Sequence, residues 1–512
     1  MTSSPPSAAA SLTSILLAVG DDRAPSLVYA DGATLAYAGL RDAVAGLREA
    51  LRRCGIGRGD RVAIVLPGGP ELALAFLAVT ETATAAPLNP AYRTDEFAFY
   101  LEDLGAKAVI VEAGATGAIV EAAARVGVPI VDLHADRPSG PGAAALAPRH
   151  PRETRAAPDE RPGGDDVALV LHTSGTTARP KIVPLSHRNL ALSAQNIARG
   201  LALVPADRLV GIMPLFHIHG LVAGLAAPLA AGSSVVCLPG FRHDRVYDAI
   251  ERHAPTWITG VPTMYQALLA HVRPEAIAAN RLRFVRSSSA PLPPSLAAEI
   301  EAVFGCPAIE AYGMTEASHQ VTSNPLPPLA RRPGSVGPAR DDEVRIVDAA
   351  GRRVADGTVG EVVLRSARLT SGYEAPPEAN ASAFVDGWFR TGDLGRIDAD
   401  GYLWLTGRIK EIINRGGEKI SPREIDDVLC AHPAVLQAVT FAVPDPVWGE
   451  DIAAAIVIRP GRDASEADLR RHASRTLAPF KLPRRFVFVD EIPKGPSGKL
   501  QRIGLAKLLG LA

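Results

Sequence analysis

The sequence is poor in aromatic residues and in cysteine. Aromatic residues make up 5% of the 512 residues, while hydrophobic residues of all kinds make up 47%, as in a globular, alanine-rich protein. The four cysteines lie far apart and form no C-x-x-C pair: Cys54, Cys237, Cys306 and Cys430. We therefore expect reduced, buried thiols in a cytoplasmic protein.

Strong net charge and long hydrophobic runs are also missing. The formal net charge of -1 argues against nucleic acid or an anionic membrane as an electrostatic partner. No uninterrupted apolar run reaches the roughly 20 residues that a membrane-spanning helix needs. The start, MTSSPPSAAASLTSILLAVG, has no basic region before its apolar stretch, and the end, LGLA, is no lipidation or peroxisomal signal. These absences predict a cytoplasmic location, with no membrane and no nucleic acid as partner.

Lysine is scarce as well, since only eight of the 54 basic residues are lysine. Where arginine is the default cation, a lysine marks a position at which a compact ammonium fits and a planar guanidinium does not. For Lys107, Lys494 and Lys507, retention on a solvated surface is the simpler interpretation.

The alternation of patterns along the chain indicates the fold class. Leu40, Val44, Leu47 and Leu51 recur at helical spacing, and the next apolar run, RVAIVLPGG, is typical of a buried strand. Repeated alternation of this kind predicts parallel sheets flanked by helices. The stretch from Ala135 to Asp166 is rich in Pro, Gly, Arg and Ala without periodicity, which predicts a surface loop.

The rest of the chain indicates how the protein divides. At 512 residues it is too long for one hydrophobic core. A second alternating block is followed by a turn-punctuated, β-rich segment that contains EVRIVDAAG, and a small final unit follows GRIKEIINRGGEKISP. We therefore predict an α/β protein with a large N-terminal domain, residues 1–407, of two α/β sheet subdomains and a β-rich subdomain. A small, mobile α+β C-terminal domain, residues 408–512, completes the prediction.

The stretch LHTSGTTARPKIVPLSH offers several hydroxyls, backbone N–H groups and one ammonium, which are the donors that a polyphosphate binds. It differs from the common nucleotide P-loop, because Lys181 follows a proline and an apolar Ile182 comes next. The strand VALVL places this stretch at its carboxyl end, where ligands bind in open α/β sheets. Taken alone, S-G-T-T is more often an ordinary polar turn.

Four further stretches are chemically suggestive. EAYGMTEASH places Tyr312 and Glu316 one helical turn apart, where an aromatic ring can stack on a base and a carboxylate can bind magnesium. WFRTGDLG places Asp393 in a tight turn that suits ribose hydroxyls. GRIKEIINRGGEKISP contributes Arg408, Lys410 and Lys419, and PKGPSGKLQR leaves Lys499 between flexible residues near the C-terminus. Each stretch alone is explained equally well by packing, capping or disorder.

Together and in this order, the five motifs resemble the adenylate-forming superfamily of acyl-CoA synthetases, carrier-protein adenylation domains and luciferases. The resemblance covers nearly the whole chain, from RGDRVAIVLP to the terminal SGK. It implies use of ATP, Mg²⁺ and coenzyme A. It also implies that the phosphates of ATP are held by the loop residues Thr173, Ser174, Gly175, Thr176, Thr177 and Lys181.

The resemblance assigns the remaining nucleotide contacts residue by residue. Tyr312 would pack on adenine, Thr315 would reach the phosphate, Glu316 would bind magnesium, and Asp393 with Arg408 would hold the ribose. Ile182 departs from the pattern, since relatives usually carry glycine there, and a β-branched residue predicts a stiffer loop exit.

Further roles follow for the C-terminal domain. Lys499 would contact the substrate carboxylate and the α-phosphate, Lys410 would lie at the hinge, and Arg415, Gly416 and Gly417 would lie beside the pantetheine tunnel. The predicted catalytic residues are Lys499, Glu316, Thr176 and His217.

Four polar residues lie where this family builds its acyl pocket: His217, His219, Ser289 and His319. An apolar acyl tail would need aliphatic or aromatic walls, whereas a second carboxylate cannot be buried without donors or positive charge. These stretches resemble oxalate–CoA ligases more than coumarate or fatty-acyl ligases, which implies that Ser289 and His319 contact the distal carboxylate. Ser288 and Gly313 stand where relatives often have cysteine and alanine, two changes that predict a slightly larger pocket.

The sequence therefore predicts an AMP-forming ligase that activates a small carboxylate, with oxalate first, and transfers it to coenzyme A. Three alternatives stay open at this point. They are a CoA ligase for another short or aromatic carboxylate, a stand-alone adenylation enzyme that loads a carrier protein, and a degenerate nucleotide-binding module.

Overall fold

The computed structural model describes residues 11–150, 154–173, 180–494 and 500–512. The described residues form four β-sheets, of eight, seven, five and five strands. Helices connect the strands of the two larger sheets, which confirms the predicted α/β class with two sheet subdomains, a β-rich subdomain and a small α+β unit.

The first part of the chain runs from α1 to β9. Its elements are α1 Leu12–Leu17, β1 Pro25–Tyr29, β2 Thr34–Ala36, α2 Tyr37–Arg53, β3 Arg61–Val65, α3 Pro70–Thr80, β4 Thr84–Pro87, α4 Thr94–Leu104, β5 Ala108–Glu112, α5 Ala118–Val126, β6 Ile130–Ala135, β7 Ala144–Pro148, β8 Val167–Thr173 and β9 Lys181–Ser186. The predicted helix at Leu40 to Leu51 and the predicted strand at RVAIV are α2 and β3.

The seven-stranded sheet has the order β7-β6-β5-β3-β4-β8-β9. Its strands are parallel except for β7 and β9, which close the two edges as antiparallel partners of β6 and β8. Strand β7 corrects the surface loop predicted from Ala135 to Asp166, since Ala144 to Pro148 pair with β6. An alanine-rich edge strand has too little side-chain contrast to show a period of two, so its backbone pairing leaves no pattern in the sequence.

The second part of the chain builds the eight-stranded sheet. Its elements are α6 His187–Gly200, β10 Arg208–Gly211, a π-helix His219–Ala226, α7 Ala227–Ala230, β11 Ser234–Cys237, α8 His243–His253, β12 Trp257–Gly260, α9 Pro262–Ala270, α10 Pro274–Ala279, β13 Phe284–Ser287, α11 Pro294–Phe304, β14 Ala308–Met314, a 3-10 helix Thr315–Ala317 and β15 His319–Ser323.

This sheet has the order β15-β14-β13-β12-β10-β11-β1-β2. The chain leaves β10 for β11 on one side and returns to β12 on the other, so β10 lies at a change of direction, where α/β sheets bind ligands. Trp257 on β12 and Phe284 on β13 are fully buried side by side, with ring centroids 5.5 Å apart. They fix the strands whose carboxyl ends carry the candidate acyl residues.

The third part of the chain forms the two smaller sheets. Its elements are β16 Val344–Val347, β17 Gly360–Leu364, α12 Ala379–Ala383, β18 Phe384–Val385, β19 Trp388–Ile397, β20 Leu403–Arg408, β21 Ile413–Arg415, β22 Glu418–Ile420, α13 Pro422–Cys430, β23 Val435–Asp445, β24 Gly449–Ile458, α14 Glu466–Ala473, β25 Arg485–Phe488 and α15 Leu505–Leu508. One sheet contains β16 to β20 and the other β21 to β25.

The last strand of the first of these sheets ends at Arg408, and the first strand of the other begins at Ile413. Lys410 lies between them in a 3-10 helix, Ile409–Glu411. The division of the chain into residues 1–407 and 408–512 stays a prediction.

Two local predictions were wrong. Tyr312 and Glu316 do not share a helix, because Tyr312 lies on β14 and Glu316 in the 3-10 helix that follows. Asp393 does not lie in a tight turn but in the middle of β19, opposite Arg408 on β20. The β19–β20 pairing begins at Asp393, and Gly392, with a φ of 72°, lies where the pairing of β17 with β19 is irregular, so tertiary pairing overrides the turn signal of the Gly-Asp pair.

Searched over its described residues, the chain has no helix that is both long and apolar enough to cross a membrane.

Candidate active site

The phosphate loop joins β8 to β9 as a hairpin whose base pairs Thr173 with Lys181. Four residues predicted to bind phosphate, Ser174, Gly175, Thr176 and Thr177, lie outside the described residues. Ile182 is the second residue of β9 and is buried, and its backbone exchanges hydrogen bonds with Glu374 and Ala375. An extended strand is the conformation that a β-branched residue favours, so Ile182 is compatible with the loop exit as built.

A group of three side chains, which we call the magnesium group, consists of Lys181, Tyr373 and Glu316. The Lys181 ammonium lies 4.0 Å from the centroid of the Tyr373 ring, and the Tyr373 hydroxyl donates a hydrogen bond of 2.8 Å to Glu316 Oε1. Burial lowers the pKa of Lys181, and it raises the pKa of Tyr373 far enough to keep the phenol protonated. Tyr373 therefore positions both charged groups through one ring.

The sequence interpretation missed Tyr373. Its stretch, SGYEAPP, belongs to no motif that the sequence singled out, and its partners are distant in the chain. Thr315, the neighbour of Glu316, opens the 3-10 helix and is half-buried.

A second group, the ribose group, consists of Tyr312, Asp393 and Arg408. The Tyr312 hydroxyl donates to Asp393 Oδ2 at 2.5 Å, and Arg408 Nε donates to Asp393 Oδ1 at 2.5 Å. The Asp393 backbone N–H also donates to Thr391 Oγ1 at 2.9 Å. Burial raises the pKa of Tyr312 well above its ordinary value, so it acts as a neutral donor. The structure thus places Tyr312, which the sequence assigned to adenine, beside Asp393 and Arg408, which it assigned to the ribose; these roles stay predictions.

A third group, the acyl wall, consists of His219, Thr259, Arg286, Ser289, His319 and Gln320. The imidazole rings of His219 and His319 stack with centroids 4.5 Å apart. His219 Nδ1 lies 3.1 Å from Ser289 Oγ, and His219 Nε2 lies 2.8 Å from Thr259 Oγ1. The predicted acyl residues His219, Ser289 and His319 therefore lie together, with both histidines buried and Ser289 half-buried in front.

Arg286 stands at the centre of the acyl wall and was missed by sequence reasoning. One terminal nitrogen lies 3.3 Å from His219 Nε2 and 3.1 Å from Thr259 Oγ1, and the other lies 3.2 Å from His319 Nε2 and 2.9 Å from Gln320 Oε1. Its side chain is fully buried, and no described carboxylate forms an ion pair with it. The signal that marks it is an arginine inside the short strand FVRS, since arginine is rarely fully buried.

The backbone around the acyl wall adopts uncommon conformations. Ser289, Ser318 and His319 have φ angles of 70°, 51° and 88°, in the left-handed region that non-glycine residues rarely occupy. Residues in such conformations are held there by the surrounding structure, and they cluster at functional sites. Here the strained turns bring Ser289 and His319 to the carboxyl ends of β13 and β14.

Gly313 and Ser288 do not enlarge the pocket, contrary to prediction. A Cβ atom on Gly313 would lie 1.7 Å from the His319 carbonyl oxygen, so the glycine admits the close approach of that backbone. Ser288 is fully buried, and its hydroxyl donates to the Ala311 carbonyl at 2.9 Å. Both small residues serve the packing behind the acyl wall.

His217 precedes the π-helix that carries His219 and is half-buried beside Phe216, with ring centroids 4.7 Å apart. Gly220 permits this tight turn, since a Cβ atom there would lie 2.1 Å from the Pro214 carbonyl oxygen. π-Helical turns occur frequently at functional sites. The roles predicted for His217 in catalysis and in substrate binding stay predictions.

The residues predicted to serve coenzyme A lie in the β21–β22 hairpin. Gly416 and Gly417 form its turn with φ angles of 59° and 96°, and the Arg415 guanidinium lies over the ring of Trp448. Lys410 and Lys419 are exposed. Lys499, the predicted catalytic lysine, lies outside the described residues. The hinge and coenzyme A assignments stay predictions.

The donor set suits a magnesium ion bound largely by a substrate. Over the described part of the chain, no group of three or more His, Cys, Asp and Glu side chains is arranged to hold a metal ion. Mg²⁺ favours one or two carboxylates together with water and substrate phosphates, and Glu316 offers one carboxylate that Tyr373 links to Lys181. Its second oxygen, Oε2, is left for this purpose by the Tyr373 hydrogen bond to Oε1.

Family models match the chain in two places. Residues 18–374 match the AMP-binding enzyme model, and residues 424–499 match the AMP-binding enzyme C-terminal domain model. The first match contains the phosphate loop, the magnesium group and the acyl wall, and the second reaches Lys499.

Individual proteins resemble the chain over most of its length. An oxalate–CoA ligase from Arabidopsis thaliana is 43% identical, with 88% of each chain covered. A sulfoacetate–CoA ligase from Cupriavidus necator is 38% identical, with 97% of each chain covered. The crystal structure of ATP-bound MatB from Rhodopseudomonas palustris superimposes with a TM-score of 0.85 at 32% identity, over 98% of each chain.

Proposed function

The chain belongs to the AMP-binding enzyme family, and we propose that within this family it joins oxalate to coenzyme A with ATP. The coarser assignment, an AMP-forming acyl-CoA ligase that uses ATP, Mg²⁺ and coenzyme A, follows from the family and from relatives that are themselves CoA ligases. The finer assignment, oxalate, rests on the chemistry of the acyl wall.

The reaction has two half-reactions. One carboxylate of the acid attacks the α-phosphorus of ATP, a P–O bond forms, and the bond to pyrophosphate breaks to leave an acyl-adenylate. The thiol of coenzyme A, which loses its proton, then attacks the acyl carbon, and AMP leaves with its phosphate oxygens. Lys499, which we propose to lie at the α-phosphate, would stabilise the charge that develops there.

We propose that the described residues position the nucleotide for this chemistry. In our proposal the ribose hydroxyls bind Asp393, whose carboxylate is oriented by Tyr312 and Arg408. Lys181 lies over the Tyr373 ring and Glu316 accepts from the Tyr373 hydroxyl, so that one ring holds a cation and the carboxylate that we propose to bind the metal. Bound Mg²⁺ supplies charge neutralisation on the phosphates.

The observation that carries the substrate assignment is that the buried guanidinium of Arg286 has neutral hydrogen-bond acceptors but no carboxylate partner among the described residues. A buried cation is unfavourable unless an anion or hydrogen bonds compensate it. Neutral acceptors surround Arg286, and no described carboxylate does. A second carboxylate on the substrate, bound at Ser289 in front of the two histidines, would complete this electrostatic environment, whereas a hydrocarbon chain would leave it incomplete.

Sulfoacetate is the second candidate, because a sulfonate is also a compact anion and meets the same requirement. The relative from Cupriavidus necator supports this candidate, and the relative from Arabidopsis thaliana supports oxalate. Both acids share the feature that the acyl wall selects, which is a second anionic group close to the reacting carboxylate.

A panel of acids tests the proposal. Oxalate, sulfoacetate, hexanoate and a cinnamate are compared in kcat/KM by pyrophosphate release and by thioester formation. We expect oxalate to be preferred, and both readouts to respond to it. If hexanoate or the cinnamate is preferred, oxalate is wrong and only the ligase class stands; if sulfoacetate is preferred, the second candidate replaces the first.

The carrier-protein alternative has its own test within the same assay. Coenzyme A is replaced by a phosphopantetheinyl carrier protein, and transfer of the acyl group is measured. We expect transfer to coenzyme A to be far faster. Faster transfer to the carrier protein would reassign the acceptor.

A further inference from the structure

We propose that Arg286 is a positioning residue that holds His219 and His319 as neutral imidazoles with their protons on Nδ1, so that the acyl wall presents donors to an anionic substrate. The inference rests on the proposed function for its purpose, but its structural content concerns the free protein. It assigns a role to a residue to which the sequence interpretation gave none.

The first step concerns donors and acceptors. A guanidinium has only N–H donors, so an atom within hydrogen-bond distance of it must accept. One terminal nitrogen of Arg286 lies 3.3 Å from His219 Nε2, and the other lies 3.2 Å from His319 Nε2. Each Nε2 atom therefore presents a lone pair to Arg286, and a neutral ring must then carry its proton on Nδ1.

The second step concerns Thr259, which fixes the direction of hydrogen bonding at His219. Its hydroxyl oxygen accepts from Arg286 at 3.1 Å, so its hydrogen is left to donate to His219 Nε2 at 2.8 Å. Two neighbours of His219 Nε2 thus require the same tautomer. Gln320 Oε1 accepts from the same Arg286 nitrogen as His319, at 2.9 Å, and fixes the guanidinium in its plane.

The third step follows the proton to the front of the wall. With its proton on Nδ1, His219 donates to Ser289 Oγ at 3.1 Å. The Ser289 hydroxyl oxygen accepts this bond, and its own hydrogen is then directed to another acceptor. Ser289 is half-buried, whereas His219 is buried. A relay from Arg286 through His219 therefore ends in a hydroxyl donor suited to a carboxylate.

Electrostatics opposes protonation of either ring. An imidazolium next to a fully buried guanidinium would place two positive charges within hydrogen-bond distance in a region of low dielectric, and the stacked ring would add a third. Burial lowers the pKa of Arg286 to about 10, which leaves it charged at neutral pH. Arg286 therefore carries the positive charge, and we expect both histidines to stay neutral.

Other titratable groups lie on the elements packed against the two rings, and each contacts a partner elsewhere. His187 accepts the Leu12 N–H, and burial lowers its pKa to about 4. Tyr265 donates to the Arg286 carbonyl, and Arg208 donates to the His253 carbonyl. Glu310 accepts the Leu292 N–H. Tyr312 and Glu316 belong to the ribose and magnesium groups described above, and His217 lies two residues before His219.

The direct test is the protonation state of the histidines in the free protein. The protein is labelled with ¹⁵N-histidine, and long-range ¹H–¹⁵N correlation spectra are recorded through the range near pH 6.5, where an ordinary histidine titrates. Substitution of His219 and His319 one at a time assigns their signals. We expect both rings to stay neutral with the proton on Nδ1.

A variant adds a functional readout. Arg286→Met removes the charge and the donors, and we expect kcat/KM for oxalate to fall by about 10²-fold at alkaline pH. Without the cation, one electrostatic obstacle to protonation of the histidines is removed, so acidification should protonate them more readily than in the unmodified protein and restore positive charge. We therefore expect the variant's activity relative to the unmodified protein to rise as the pH falls.

Two controls separate this role from a structural one. Arg283→Met removes a nearby arginine that is half-exposed and paired with Asp207 at 2.6 Å, and it should change neither the histidine signals nor the pH profile. Arg286→Lys keeps a cation and should keep both rings neutral. If Arg286→Met does not fold, the spectra of the unmodified protein and of Arg286→Lys decide the question.

The outcomes distinguish this inference from the proposed function. A proton on Nε2 of either ring, or titration of either ring near pH 6.5 in the unmodified protein, overturns the role of Arg286 whatever the substrate is. A loss in Arg286→Met that is equal at every pH also overturns it. Neutral Nδ1–H rings in a protein that prefers hexanoate would keep the tautomers and refute oxalate.

Discussion

The acyl wall and the ribose group each centre on an arginine, and the two arginines lie in opposite electrostatic settings. Arg286 is fully buried, and its described hydrogen-bond acceptors are neutral. Arg408 has a half-exposed side chain and is paired with the carboxylate of Asp393. The same type of side chain thus has no described anionic partner in one region and is paired with a carboxylate in the other.

The difference indicates what each region binds. A neutralised pair such as Asp393–Arg408 holds its hydrogen-bonding atoms in fixed positions without a net charge, and it suits uncharged hydroxyls such as those of ribose. A buried cation without an anionic partner attracts negative charge, and it suits an anionic group that arrives with the substrate. Disruption of the ribose group should therefore affect all acids alike, whereas disruption of the acyl wall should affect dianionic acids selectively.

The largest expected effect is at Asp393. Asp393→Ala leaves Tyr312 and Arg408 without their shared acceptor and removes the carboxylate that we propose to bind the ribose hydroxyls, so we expect kcat/KM to fall by roughly 10³-fold. We expect the loss in kcat/KM to be the same for oxalate and for any monocarboxylate that the panel identifies. A loss confined to oxalate would contradict the expected difference between the ribose group and the acyl wall.

The acyl wall should show the opposite selectivity. His319→Ala removes one acceptor of Arg286 and one ring of the stacked pair. We expect kcat/KM for oxalate to fall by about 10²-fold, because a binding site built from hydrogen-bonding groups loses much of its affinity when one of those groups is left without a partner. The kcat/KM for a monocarboxylate should change by less than about tenfold. Equal losses for both acids would show that His319 supports the fold alone.

The reasoning about incompletely paired buried charge extends to an acid on β14. Glu310 is buried, and its pKa is raised by burial to about 7, although Arg423 at 4.0 Å lowers it. The folded protein therefore holds a proton that the unfolded chain releases near pH 4.5, and this contribution to stability is lost as the pH rises through about 7.

Glu310→Gln should remove this pH dependence. The free energy of unfolding of the unmodified protein should fall by roughly 2 kcal/mol more than that of the variant between about pH 5 and pH 8. Denaturant titrations at both pH values measure the difference. Parallel pH profiles would mean that Glu310 is fully ionised in the folded state.

The smallest expected effect is at Tyr373, which joins the two charges of the magnesium group. Tyr373→Phe removes the hydrogen bond to Glu316 and keeps the ring under Lys181, so we expect a loss of about tenfold in kcat with all acids. Tyr373→Leu removes both contacts and should be worse. A loss that disappears with saturating Mg²⁺ would place the effect in metal affinity, and no loss at all would contradict the assigned contact.

Much of the fold could be predicted from local pattern. The helix at Leu40 to Leu51 and the strand at RVAIV were confirmed because their apolar spacing records burial on one face or on both. The α/β class followed from their alternation. Strand β7 escaped prediction, because backbone pairing at a sheet edge requires no side-chain period.

Some members of the candidate site were named from the sequence, but Tyr373, Arg286 and the contacts between the members were not. The motif stretches marked Tyr312, Glu316 and Asp393, but the local spacing suggested a helix and a turn where the structure has strands β14 and β19. The glycine at 313 was interpreted as added space, and it instead admits the carbonyl of His319. In each case the partner that decides the conformation lies on another element.

The sequence by itself determined the family, the order of the motifs and the residue types available for ATP, because these depend on neighbours along the chain. Only the tertiary structure decided that Arg286 meets His219, 67 residues earlier, and His319, 33 residues later. Parallel strands joined by helical crossovers bring their carboxyl ends to one edge, and so they unite side chains whose separation in sequence carries no period. Whether a buried arginine has an anionic partner therefore depends on the folded sheet, and not on its neighbours in the sequence.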